Sequence, residues 1–82
     1  MPWHPATKLQ CEKLADEAIR KFEESDEEYE RYTLLKESEK LTDAKIMLRN
    51  ADQDLGYAQG IYQALVCIGY KGEKMITLTE LL

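Results

Sequence analysis

From Ala44 to Gly69 the small and large apolar residues recur at alternating steps of four and three. They are Ala44, Leu48, Ala51, Leu55, Ala58, Tyr62, Leu65 and Gly69. Steps of four and three trace one seam along an α-helix, and few other structures satisfy the pattern for so long. Met47, Ile61 and Ile68 widen the seam into a face. Whatever else the chain does, this segment is a helix that must bury one side against another element.

The rest of the chain has few ways to supply anything but helices. Its two prolines lie within the first five residues and its four glycines after residue 55, so Ala6 to Leu55 has no strong breaker. That stretch is rich in Glu, Lys, Leu and Ala, which favour helix by default. At 82 residues the chain is one domain, with a modest core that needs good packing or a second copy to be stable. We therefore expect a single all-α domain over residues 1–82. Residues 1–6 form an irregular lead-in, two long antiparallel helices cover about 7–37 and 43–69, and residues 71–82 form a short tail.

The local signals place the boundaries. Thr7 and Gln10 have capping-box spacing at the start of the first helix. Cys11, Leu14, Ala18 and Phe22 then form one face, with Leu9, Ala15 and Ile19 beside it. Ser25 and Glu28 repeat the capping-box spacing, so a new helix could start there. Tyr29 and Tyr32 continue the Phe22 face, which favours one continuous helix. Leu41, Thr42 and Asp43 read as a staple, a cap and a first-turn acid for the central helix, with the hairpin turn near 38–42. No Gly or Pro marks this turn, and one uninterrupted helix from 26 to 68 also fits. Gly56 and Gly60 lie four apart, each costing about 1 kcal/mol relative to Ala, which suggests close approach by another backbone. The tail reads as a helix capped by Thr77 with Glu80 at its third position, or as a strand through Ile76 and Leu78.

Charge carries the functional information. The net charge is −5, and Glu23, Glu24, Asp26, Glu27, Glu28 and Glu30 place six acids in eight residues. The remaining ten acidic and eleven basic residues nearly cancel. A nucleic-acid binder with a basic footprint is disfavoured. An acidic surface for a basic protein partner is the candidate binding patch, by charge complementarity or by mimicry of phosphate charge. Lys40, Lys45 and Arg49 form a small basic group near the turn, read first as solvated surface. They leave a DNA-binding regulator as a minor alternative.

Catalytic signals are weak. His4 stands between prolines in the lead-in, and no second histidine exists. Asp52 and Asp54 lie two apart on a helix and point to different faces, which reads as solvated surface. Cys11 and Cys67 read as small core residues, the second between Val66 and Ile68. Tyr29, Tyr32, Tyr57, Tyr62 and Tyr70 lack interleaved Arg and Lys, so their rings are expected to pack with hydroxyls toward water. We expect no enzyme, no metal and no cofactor. Without a signal sequence or spanning segment, the expected setting is cytoplasmic.

The run from Gly56 to Tyr70, with its Gly56-Tyr57-Ala58-Gln59-Gly60 start and Ile68-Gly69-Tyr70 ending, resembles the closing helix of small phage- and prophage-encoded helical proteins. That resemblance implies a mobile-element origin, where small acidic proteins inhibit host enzymes or defence complexes. Self-association is the other expectation: a dimer forming a four-helix bundle through the seam of Ala44, Leu48, Ala51, Leu55, Ala58, Tyr62 and Leu65.

Overall fold

The computed structural model describes residues 5–82, all helix and connecting turns. Helix α1 spans Pro5–Glu37, α2 spans Leu41–Cys67 and α3 spans Glu73–Leu81. The two long helices pack against each other as a hairpin, and α3 packs mainly on α1. The result is a rod of about 55 × 17 × 17 Å.

The seam of α2 closes this hairpin. Ala44, Ala51, Ala58 and Leu65, each seven residues from the next, are buried. On α1 the matching positions are Cys11, Ala15, Ala18 and Ser25, with Phe22, Tyr29 and Tyr32 half-buried beside them. Small side chains on both facing lines let two helices approach closely, and the larger residues then pack along the edges. Ser25 tolerates this setting because its hydroxyl donates to the Phe22 carbonyl at 2.7 Å. The centre of the α1 face thus lies on Cys11, Ala15 and Ala18. Leu9 and Leu14, expected within the apolar face or beside it, are 52% and 43% exposed.

Helix α1 runs through the acidic segment without a break. Its like-charge pairs at four-residue spacing cost a few tenths of a kcal/mol each, too little to outweigh cross-helix packing. The expected caps are not used. Thr7 and Ser25 lie inside α1, Thr42 inside α2 and Thr77 inside α3. The positions before α2 and α3 are Lys40 and Gly72, and neither makes a side-chain capping bond. Leu41 is 60% exposed and staples nothing. The strand alternative for the tail does not occur.

The turn between α1 and α2 is made by Glu39, which takes a left-handed φ of 61°. The Lys40 amide reaches back to the Leu35 carbonyl at 2.9 Å and the Glu39 amide to Lys36 at 3.1 Å, the paired bonds of a Schellman end. Helix α2 ends the same way at Gly69, φ 78°. There the Tyr70 amide bonds to the Leu65 carbonyl at 3.0 Å. Leu65 and Tyr70 both enter the core, the hydrophobic contact that usually accompanies this motif.

One core cluster forms where the three helices meet. It joins Cys11, Ala15, Ala18, Ala58, Leu65, Tyr70, Met75 and Leu78, with Ile19, Phe22, Ile61 and Tyr62 packed against it. Gly72 sits under the buried Tyr70 ring, and a Cβ there would lie 2.6 Å from the ring carbon that carries the hydroxyl. Gly56 and Gly60 behave differently from expectation. Both are exposed and, among the described residues outside their own helical turns, nothing lies within 4 Å of where a Cβ would stand, so no other described backbone approaches them.

Candidate functional site

The acidic segment occupies about two turns of α1, and helix geometry splits it. Glu23, Asp26, Glu27 and Glu30 are exposed, with Glu23, Glu27 and Glu30 following one another at steps of four and three along the outer face. Glu24 and Glu28 are half-buried and lie on the flank next to α2. The six acids expected as one patch therefore form two groups with different surroundings.

The inner group meets charge from both helices. Lys21 Nζ lies 3.3 Å from Glu24 Oε2 and 3.7 Å from Asp54 Oδ1, tying the segment to α2. Lys21 also stands over the Tyr57 ring at 5.9 Å. Glu28 faces Asp54 within hydrogen-bonding reach, yet no donor reaches its buried Oε1. Two ionised carboxylates repel and offer each other no donor, so a proton on Glu28 is favoured here. Glu28 is pushed up to about 7, first by its hydrogen bond to Asp54, then by burial and by the Asp54 and Glu24 charges, with Lys21 acting in the opposite direction. Glu27, Arg31, Met47 and Asn50 complete the walls of this shallow cleft.

Asp52 and Asp54, expected on solvated surface, both work across the helix pair. Asp52 accepts the Tyr29 hydroxyl, and this bond is the main cause that raises the Tyr29 phenol. The tyrosine hydroxyls likewise do more than face water. Tyr57 donates to Glu17 at 3.1 Å, and Tyr62 pairs with Thr79 at 3.1 Å, linking α2 to α1 and to α3. Tyr70 is buried, which raises its phenol. Lys74 bonds Asp16 and fixes the start of α3 on α1. These polar links were not legible as pairs, since they join residues 17 to 58 positions apart.

Cys11 is buried as expected, but Cys67 is exposed, as are Val66 and Ile68 at 52% and 55%. Leu65 before them and Tyr70 after them face the core, so Val66, Cys67 and Ile68 fall on the outward side of the end of α2 and are not core. The two thiols are not bridged. Lys40, Lys45 and Arg49 are all exposed, interspersed with exposed Glu37, Glu39 and Asp43, so they build no concentrated positive surface. Among the described residues no group of His, Cys, Asp and Glu side chains could hold a metal ion. His4 lies outside the described residues. No described helix is long and apolar enough to cross a membrane.

The seam expected to join two copies lies within the hairpin. Ala44, Ala51, Ala58 and Leu65 are covered by the chain itself, while Leu48, Leu55 and Tyr62 flank them half-buried. The hairpin closes on it because a covalently linked second helix meets it at far higher effective concentration than a second molecule does. What fold and site define together is a helical hairpin, closed at one end by a third helix, that carries an outward acidic stripe. Comparisons with protein-family models, with curated proteins and with solved structures yield no match.

Proposed function

We propose that this chain is a non-enzymatic protein-binding regulator whose outer α1 face docks on a basic surface of its partner. In this reading it belongs with the phage-type inhibitors of host nucleic-acid-handling or defence proteins. The observation that carries the reading is the exposed run of Glu23, Asp26, Glu27 and Glu30 on an unbroken helix. A rigid line of carboxylates presents its charge at fixed spacing, which favours both encounter and fit with a basic groove.

The test is a tagged-protein capture from a bacterial host lysate cleared of nucleic acid, at low and high salt. The wild-type chain is compared with a variant carrying Lys at positions 23, 26, 27 and 30. The inner acids stay in place, so the fold is checked independently by circular dichroism. A basic protein retained at low salt by the wild type and lost from the variant is the expected result. Equal capture by both refutes the acidic-face reading.

A second reading is an assembly module that pairs with itself. It draws on the open end of the hairpin, where α3 does not reach and Leu34, Leu41 and Ile46 are 62%, 60% and 55% exposed. Because the inner seam is already covered, such a dimer would use these outer side chains. Light scattering across a concentration range separates the two readings.

A further inference from the structure

The inner acidic group poses a problem that the outer stripe does not. Glu28 comes from α1 and Asp54 from α2, and they meet on the flank where the two helices join. Lys21 lies beside the pair, and Glu24 and Asp54 already engage it. Glu28 Oε1 is shielded from solvent and has no donor. The other charged groups lining the cleft are Glu27 and Arg31 of α1, while α2 adds only the neutral Asn50 and Met47. Helix α3 contributes nothing to the cleft. The arrangement is satisfied when one proton bridges the two carboxyls and is repulsive when both are ionised.

We propose that Glu28 and Asp54 form a proton-dependent latch, which holds α1 to α2 when bridged by a proton and weakens the pairing when that proton leaves. An ordinary glutamate near 4.5 loses its proton well below neutrality, whereas Glu28 keeps it up to about 7. The folded chain therefore binds this proton more tightly than the unfolded chain does. The latch is fully engaged below about 4.5, and its contribution is lost as the pH rises through about 7. Within that window one proton can change the unfolding constant by at most about tenfold per pH unit. Exposure and the nearby Lys21 keep the response below this ceiling. The consequence is a hairpin tightest in mildly acidic surroundings and looser above neutrality.

Urea unfolding of the full chain, followed by far-ultraviolet circular dichroism from pH 5.5 to 8, tests the latch. The wild type is expected to unfold at lower urea as the pH rises, its unfolding constant growing severalfold between pH 5.5 and 7.5. Glu28→Gln, whose amide donates permanently to Asp54, is expected to flatten that dependence and to exceed the wild type in stability at pH 8. Asp54→Asn, made in parallel, should flatten it as well. His4→Gln is the control for the one imidazole of the chain and should leave the slope in place. A wild-type midpoint that does not move, a slope that survives in Glu28→Gln, or a slope that disappears in His4→Gln overturns the proposal.

Discussion

Replacing Gly56 and Gly60 by alanine is expected to stabilise the hairpin substantially. Both residues lie inside α2, where glycine is about 0.8–1 kcal/mol less favourable than alanine because it surrenders more backbone freedom on folding. Such a gain is usually cancelled where the new methyl meets a neighbour. Here, among the described residues outside the helix's own turns, nothing lies within 4 Å of either Cβ position, so the propensity term stands alone. The two sites are a helical turn apart and share no partner, so their effects should add to about 1.6–2 kcal/mol. For a domain of this size that corresponds to roughly 6–16 °C in Tm. It also corresponds to a rise of about 1 M in the urea midpoint. Urea melts of the single and double variants, at two protein concentrations, measure the gain. A double variant no more stable than the wild type refutes the reasoning. A loss that grows with protein concentration would show that a second molecule sits on the glycine face, where the methyl groups would obstruct it.

Two further substitutions probe the ends of the helices. Glu39→Gly should stabilise by about 0.5–1 kcal/mol, since glycine adopts the left-handed turn without the Cβ penalty, though it gains freedom in the unfolded chain. An unchanged or lower urea midpoint would argue against that turn. Leu78→Ala, at a fully buried position of α3, should cost about 2–5 kcal/mol. Amide hydrogen exchange should then accelerate in α3 more than in the middle of the hairpin, and a uniform response would show that α3 is no separable unit.

The helices themselves were legible because the four-and-three pattern of α2 and the lack of breakers leave no other regular structure open. Which small residues form the contact line was less legible. Ala15 and Ser25 outrank Leu14 in burial because a close helix pair rewards small size at its centre, whereas a hydrophobicity count favours leucine. The signal was present, since Cys11, Ala18 and Ser25 share the seven-residue period of Ala44, Ala51, Ala58 and Leu65. The caps misled for a related reason. A Ser or Thr three residues before Glu or Gln contributes about 1 kcal/mol at a helix end, and the flanking residues here are good enough helix formers to extend past it. The turn at Glu39 carries no residue signal at all. Its geometry is imposed by the two helices that must come back together, on a residue type that does not favour it.

The same argument explains why the acidic segment can serve as a surface. Six acids in eight residues would fray an isolated helix, through like-charge repulsion along the axis. In the folded chain the segment is held by contacts across the helix pair: Lys21 bridges to Asp54, the Tyr29 hydroxyl donates to Asp52, and Ser25 is buried between them. The inner acids are thereby drawn into the hairpin contact, and the outer ones are left exposed on an unbroken helix. The outward stripe is thus a product of helix pairing rather than of local preference. Its spacing is that of the helix itself, while its firmness depends on the pairing with α2, so anything that loosens that pairing, including loss of the proton we place between Glu28 and Asp54, would act on the proposed docking face without touching it.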